Sequence, residues 1–216
     1  TINMVLQAPG RQVQSVAQAS FDAWVKYYRQ DENTPNSTIS YYTKGALVAL
    51  CLDLSMRSEG SGNLDQVMRG LWQRCQGGPL TEADFLAELQ AQTGRSWQKE
   101  IKAWVHSTQE LPLKTLLSSH GIVVHEDPSQ MAQRLGLRVS ETQGVVQVKA
   151  VLRGGAAEKA GMAAGDEWWA VASSKAKSTT WRLKKLDDLP LLLGNDKKAK
   201  ATVTRDQKVF ELDLNI

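Results

Sequence analysis

One change of hydrophobic period, near Gly121, constrains this chain more than any other feature. Before it, apolar residues recur every three or four positions, the spacing of helices that bury one face. After it they alternate or gather in short β-branched runs, the spacing of strands. The order predicts an α+β chain: an N-terminal all-α helical array over 1–120, then a small β-barrel with two helices over 121–216, its core about 130–216. The boundary is expected between about Glu110 and Gln130.

In the first half a nearly continuous apolar run from Ile39 to Met56 predicts a mostly buried helix, ended by the charged, Gly-rich turn Arg57 to Gly62. Leu64, Val67, Met68, Leu71 and Trp72 mark the next helix, which Gly77-Gly78-Pro79 stops. Thr81 is a good N-cap, with Asp84 near capping-box spacing and Phe85, Leu86 and Leu89 as the apolar stripe; this helix ends at Gly94. Ser96 opens a helix carrying Trp97, Ile101, Trp104 and Val105, and Pro112 a short one with Leu113, Leu116 and Leu117. Trp24, Trp72, Trp97 and Trp104 are all expected in the core.

In the second half, strands are expected over Ile122–His125, Leu137–Glu141, Val145–Val151, Trp168–Ala172, Ala199–Thr204 and Val209–Leu214. Gln143-Gly144 and Asp206-Gln207 sit where hairpin turns belong. Helices are expected over Ala156–Ala160 and Leu183–Leu193, the second with Pro190 near its end. Of the paired indoles Trp168 and Trp169, one is expected to point away from the barrel.

With 216 residues, 42% hydrophobic and 23% charged, the chain can bury real cores, which excludes disorder as its main state. No stretch approaches the roughly 18 to 20 apolar residues of a membrane span, so no membrane partner is expected. A formal net charge of +3 gives no case for nucleic acid. The excess lies in the second half, in Lys175, Lys177, Arg182, Lys184, Lys185, Lys197, Lys198 and Lys200, and reads as solvated surface. The chain opens at Thr1 inside helical sequence, which makes it read as a piece of something longer. Any signal peptide would lie upstream, so the compartment stays open.

Self-contained catalytic signatures are missing. There is no G-x-S-x-G, no phosphate-binding glycine loop and no G-x-G-x-x-G. His125-Glu126 begins like the zinc-protease H-E-x-x-H, but Ser129 stands where the second histidine belongs and Pro128 interrupts the helix that would align them. His106, His120 and His125 lack ligand spacing. Cys51 and Cys75 form no CxxC and read as free thiols in apolar helix faces. No metal site is expected in this chain.

Two stretches carry family resemblances. Leu135-Gly136-Leu137-Arg138-Val139, then Gly154-Gly155-Ala156-Ala157-Glu158-Lys159-Ala160-Gly161-Met162, then Gly165-Asp166-Glu167-Trp168-Trp169-Ala170-Val171, resembles a bacterial PDZ domain over about 130–216. Ala156 replaces the usual proline, and Ser173-Ser174-Lys175 stands where Asn-Gly is common. Independently of the family, Gly161 and Gly165 permit tight turns after a short helix, and Asp166 can accept backbone hydrogen bonds there. The resemblance implies that a peptide C-terminus adds to the sheet edge beginning at Leu137. Amides around Leu135 and Gly136 would receive its carboxylate, Arg138 would belong to the same loop, and Leu183 and Leu186 would flank the groove.

Pro9-Gly10-Arg11-Gln12-Val13-Gln14-Ser15-Val16-Ala17-Gln18-Ala19-Ser20-Phe21-Asp22-Ala23-Trp24, followed by Asn36 to Leu50 with Tyr41-Tyr42-Thr43-Lys44-Gly45 inside it, resembles the glycyl aminopeptidases. These are gluzincin-type zinc metallopeptidases that carry a C-terminal PDZ domain. The resemblance implies a helical segment of a catalytic domain whose zinc ligands, H-E-x-x-H and a further glutamate, lie upstream of Thr1. It implies zinc as cofactor of the full-length parent, none in this fragment, and a peptide or protein substrate. In the broader superfamily the tyrosine of a Tyr-x-Lys-Gly element donates to the oxyanion of the tetrahedral intermediate. Carried over, this is Tyr42, with Tyr41 as second choice. Two functions follow from the resemblances: part of an aminopeptidase that removes N-terminal residues such as glycine or alanine, or a non-catalytic module or scaffold that binds peptide C-termini.

Overall fold

The computed structural model describes residues 1–125, 130–175 and 178–216. Along the chain the helices are α1 (Ile2–Leu6), α2 (Val16–Phe21), α3 (Thr34–Ser37), α4 (Tyr41–Ser58), α5 (Leu64–Cys75), α6 (Glu82–Thr93), α7 (Gln98–Trp104) and α8 (Leu113–Ser119), then α9 (Met131–Leu135), α10 (Ala156–Lys159) and α11 (Leu189–Leu193). The strands are β1 (Leu137–Thr142), β2 (Val145–Val151), β3 (Glu167–Ser173), β4 (Thr180–Arg182), β5 (Lys198–Arg205) and β6 (Lys208–Asn215). A helical array precedes a six-stranded antiparallel sheet, the α+β class that the change of period predicts.

The chain forms two compact units. The helical unit holds Thr1–Leu6, Gly10–Arg29 and Ser37–His125; the sheet unit holds Gln7–Pro9, Gln30–Asn36 and the described residues after His125. The two early segments belong with the sheet although they lie far upstream of Gly121. In the second of them Asn36, 7% exposed, donates through Nδ2 to the Val151 carbonyl at 2.8 Å and accepts at Oδ1 from the Arg153 amide at 2.9 Å. One side-chain amide thus satisfies backbone groups where β2 ends, groups that burial would otherwise leave unpaired.

In the helical unit α4 is central. Leu47, Val48, Cys51, Leu52, Leu54 and Met56 are buried, and α1, α2, α5 and α8 pack on it. Caps set the helix starts. Ser40 Oγ accepts from the Thr43 amide, Asn63 and Gln66 form a capping box, and so do Thr81 and Asp84. Gly94, at φ 76°, ends α6 as its position predicts. Trp97 and Trp104 are core residues, but Trp24 and Trp72 are 81% and 69% exposed, against expectation. Helical spacing places Trp72 beside Leu71 without fixing which of the two faces inward, and the core takes Leu71.

Residues 122–125 form no strand. Their β-branched run suits a strand, but no strand pairs with them among the described residues, and β-branched sequence without a ladder does not make a strand. The rest of the false zinc motif, residues 126–129, lies outside the described residues, as does Lys177.

In the sheet unit the strand order is β1-β2-β3-β5-β6, with β4 also on β3. Both two-residue hairpins fall where the sequence places them. Gln143 and Gly144 sit at φ 53° and 73°, Asp206 and Gln207 at 49° and 65°. Positive φ at both central positions matches the right-handed twist of the strands. A bulge between Trp168 and Ala170 accompanies the divergence of the indoles: Trp168 is fully buried, its Nε1 donating to the Ala170 carbonyl at 2.9 Å, while Trp169 is 44% exposed.

The helix expected over Leu183–Leu193 is shorter and begins later, as a 3₁₀ turn at Leu186–Asp188 followed by α11. Pro190 stands in the first turn of α11, where its missing amide costs nothing, and not near the end of a long helix.

The turn after α10 is locked by Asp166, wholly buried. Its Oδ2 accepts from the Ala163 amide at 2.9 Å, and its carboxylate takes Nε and Nη2 of Arg205 at 2.6 and 2.8 Å. Removing the carboxylate leaves a half-buried guanidinium and a turn amide without an acceptor. Asp166→Ala is expected to lower stability by about 3 kcal/mol, read from urea unfolding, whereas Lys200→Ala at an exposed pair should change it by less than about 1 kcal/mol.

Candidate functional site

Two places concentrate chemistry, one in each unit. In the helical unit the first turn of α4 presents Tyr41 and Tyr42. Opposite it, Ala23–Tyr27 forms a π-helical turn, closed by the Tyr28 amide donating five residues back to the Ala23 carbonyl at 3.1 Å. Such wide turns shift side chains out of ordinary helical phase, and here Tyr27 and Tyr28 both reach the α4 pair. Tyr41 lies over Tyr42 with centroids 4.3 Å apart and planes at 31°. Tyr27 stands edge-on to Tyr41 at 5.5 Å and to Tyr28 at 5.2 Å, and its hydroxyl accepts from Ser40 Oγ at 3.4 Å. The Tyr28 and Tyr41 hydroxyls are 3.4 Å apart. These are all four tyrosines of the chain.

The cluster differentiates the two candidate tyrosines. Hydrogen bonding to Tyr28, and next to Tyr42, holds the Tyr41 hydroxyl protonated well above the ordinary phenol range. Hydrogen bonding from Tyr41, and next from Tyr28, pulls Tyr42 below it. Tyr42 is 60% exposed and Tyr41 is partly covered, so Tyr42 is the more acidic and the more accessible phenol. Trp24, its ring 5.2 Å from Tyr28, and Phe21 extend an exposed aromatic surface along the same segment. The adjacent pair Tyr27-Tyr28 was the sequence signal for this cluster, and periodicity analysis passes over it because neither ring is core.

Two residues beyond Tyr42 the helix turns Lys44 inward. It is 3% exposed, and its Nζ donates to the Arg11 carbonyl at 3.3 Å, tying α4 to the loop before α2. That loop approaches closely: a Cβ on Gly10 would lie 1.9 Å from the Thr38 carbonyl oxygen. Gly45, by contrast, has open space around it, so sterics within this chain do not explain the glycine of the Tyr-x-Lys-Gly element.

In the sheet unit β1 pairs only with β2 among the described residues, which leaves its other edge unpaired. The preceding turn is specific. Gly136 sits at φ 72° and a Cβ there would come 2.9 Å from Gly155 Cα, so both the conformation and the space require glycine. Beside α9 and α11 lies a cavity of about 350 Å³ whose lining includes Met131, Arg134, Leu189, Leu193, Lys197 and Ile216. Its lining mixes apolar side chains with two cations, Arg134 and Lys197, and with Asn195 and Asp196. Arg134 has no carboxylate partner among the described residues, while Asp196 is engaged by Lys175 and Ser173.

The sequence-predicted groove residues distribute unevenly around it. Leu135, Gly136 and Leu137 are buried in the turn and first strand residue, and Arg138 is exposed. Leu183 and Leu186 are core residues, 0% and 2% exposed, and the Leu186 amide donates to Glu141 Oε1 of β1 at 2.8 Å. Leu189 and Leu193, which line the cavity, are core residues as well, 0% and 7% exposed. Arg134 and Lys197 are further lining residues that pattern reading missed, since a single cation beside a loop carries no periodic signal.

Among the described residues no three His, Cys, Asp or Glu side chains are grouped to hold a metal ion. Nor is any helix among them long and apolar enough to cross a membrane.

Comparison with known proteins bears on both places. Residues 1–48, which include Tyr41 to Gly45, match the family model described as M61 glycyl aminopeptidase. No curated protein matches the chain. Among solved structures, an aminopeptidase N family protein from Idiomarina loihiensis is similar over 99% of this chain, with a TM-score of 0.85 and 26% identity. The chain spans 38% of that protein's length. The PDZ domain of a carboxy-terminal protease from Vibrio cholerae, in complex with peptide, aligns with 38% of this chain and 89% of its own at 21% identity and a TM-score of 0.31, too low to bear on the fold. The first 48 residues are thus similar to the M61 glycyl aminopeptidases, and the chain as a whole shares the fold of a segment of an aminopeptidase N family protein.

Burial of Lys44 pushes its ammonium below the ordinary lysine value of 10.5, with Glu110 opposing the shift and Arg11 adding to it. The unfolded chain therefore holds this proton to higher pH than the folded one, and stability rises with pH through the window just below 10.5. Lys44→Met is expected to abolish that component: thermal melts at neutral pH and near pH 10 should differ less in the variant than in the wild type.

Proposed function

We propose that this chain is the C-terminal part of a zinc-dependent aminopeptidase that hydrolyses N-terminal residues, glycine or alanine, from peptides, and that Tyr42 is its oxyanion donor. The family match over residues 1–48 carries this reading, because it covers the element in which an exposed, acidified phenol stands. The zinc ligands belong to polypeptide outside these 216 residues, and zinc there would polarise the scissile carbonyl. What this chain contributes is a protonated donor. A phenol stays protonated at neutral pH yet donates strongly, which suits an oxygen that becomes anionic only as the tetrahedral intermediate forms.

In an aminopeptidase containing this region, Tyr42→Phe should lower kcat about 100- to 1000-fold with little change in KM, the signature of an interaction made mainly in the transition state. Turnover within a few-fold of wild type would remove Tyr42 from the mechanism.

The sheet unit supports a second role compatible with the first: binding a peptide C-terminus as an added strand on β1. The observations favouring it are the edge of β1 left unpaired among the described residues and, in the same unit, a cavity lined by Arg134, Leu189, Leu193 and Lys197. An apolar terminal side chain would enter between Leu189 and Leu193, with its carboxylate toward the turn at Gly136. Calorimetric titration with peptides ending in a free carboxylate should show binding that Arg134→Glu weakens at least tenfold and that C-terminal amidation weakens likewise. Equal affinity for acid and amide peptides would exclude this mode.

A further inference from the structure

We infer that the helical unit carries a docking seat centred on Gly45, and that its occupant is an apolar segment of the polypeptide that holds the zinc ligands. The identity of that partner rests on the proposed function; the seat stands on geometry of its own. A crevice of about 360 Å³ opens within the helical unit, its lining including Val16, Gly45, Val48, Leu52, Phe85 and Ile101. Sites that bury an apolar group begin at about 300 Å³. Among the described residues its one ionisable lining group is Glu82, whose carboxylate lies 2.6 Å from His106 Nε2. That carboxylate has a partner, so the crevice suits a hydrocarbon surface and not an ion. Met68, 54% exposed, adds a flexible apolar side chain of the kind that moulds to a partner.

Gly45 points to an occupant. It lies in the second turn of α4, where glycine is disfavoured against alanine because it has more backbone freedom to lose. A Cβ there would meet nothing within 4 Å, so no close approach among the described residues offsets that cost. Gly10 and Gly136 differ, since their missing side chains make room for backbone at 1.9 and 2.9 Å. A segment from outside the chain, seated directly on the helix, would use the space at Gly45 in the same way. The place of Gly45 says which segment. Tyr42, Gly45, Ala49 and Leu52 are spaced three, four and three residues apart and form one stripe along α4. The stripe runs from Tyr42, 60% exposed, through half-buried Gly45 and Ala49 to Leu52, 2% exposed in the crevice lining. Polypeptide that faces Tyr42 with the zinc ligands therefore faces the crevice one turn further on. This chain spans 38% of the similar aminopeptidase N family structure, so that protein has ample further polypeptide for such a face.

Filling the crevice separates the free seat from the occupied one. In the 216-residue protein Gly45→Ala and Gly45→Leu should both raise the melting temperature of the helical transition, alanine by roughly 1 to 4 °C. In the longer peptidase Gly45→Leu should lower it, because leucine and the docked segment compete for one space. Where leucine prevents the longer protein from folding, Gly45→Ala should show the same reversal in smaller measure. The neutral dye Nile red should bind the 216-residue protein with enhanced emission that Gly45→Leu removes, and that component should be missing from the longer peptidase. A shift of the same sign in both proteins overturns the inference. So does a dye component of equal strength in the longer peptidase, which would make the crevice an open site for a small apolar molecule. Failure of the catalytic reading looks different: the sign would still reverse while Tyr42→Phe left turnover of the longer peptidase normal.

Discussion

Burial of α4 is the constraint on which the helical unit depends. Its leucines, valine, cysteine and methionine make it the element that other helices cover, and each fully buried large side chain of this kind contributes about 1.5 to 3 kcal/mol. A helix fixed that firmly along its length is also fixed in rotation, so its first turn has no freedom to choose what it presents. Tyr42 faces out because Lys44 and Leu47 face in. The buried ammonium of Lys44 is a cost the fold carries at this turn, offset in part by the Arg11 carbonyl and the charge of Glu110. The aromatic cluster is therefore a by-product of core packing only in its location. Its internal order comes from the π-helical turn at Ala23–Tyr27, which spends regular hydrogen bonding to bring Tyr27 and Tyr28 to the same spot.

The sheet unit is organised differently. Its core is a set of inward side chains centred on Trp168, and its irregularities mark where the chain must change direction: the Trp168/Ala170 bulge, the positive-φ hairpins and the Asp166 turn. Turning Trp168 in and Trp169 out within two adjacent positions is what strand alternation demands, and a bulge lies between Trp168 and Ala170. The edge of β1, unpaired among the described residues, is a liability in a free strand.

Much of this was legible from residue types. Caps and stops were read correctly where their chemistry is local, as at Thr81, Asp84 and Gly94, and so were the hairpins at Gln143-Gly144 and Asp206-Gln207, because a side-chain acceptor or a left-handed residue acts within four positions. Reading failed where the outcome depends on a distant partner. Ile122 to His125 has strand sequence and no strand to pair with; Trp24 and Trp72 have core chemistry but lie on faces that the described residues leave open. For Leu183 to Leu193 the helical pattern was real but the helix begins later, as a 3₁₀ turn at Leu186–Asp188 with Pro190 in the first turn of α11. Of the candidate site residues, Tyr42 stands in a motif the sequence shows, whereas the contacts of Tyr27 and Tyr28 with the α4 tyrosines and the place of Arg134 at the cavity come from spatial neighbours that one sequence does not reveal.

Asn36 has a consequence for biosynthesis. Its two backbone partners, Val151 and Arg153, lie 115 and 117 residues further along the chain. At about 5 to 20 residues per second, a ribosome reaches them roughly 6 to 23 s after making Asn36. Helices of the first half can nucleate from contacts already synthesised, but the segment holding Asn36 has no native place until β2 emerges. The sheet unit, although C-terminal by most of its sequence, includes a piece made near the start, so these bonds join segments separated by 115 and 117 of the 216 residues in the order of synthesis.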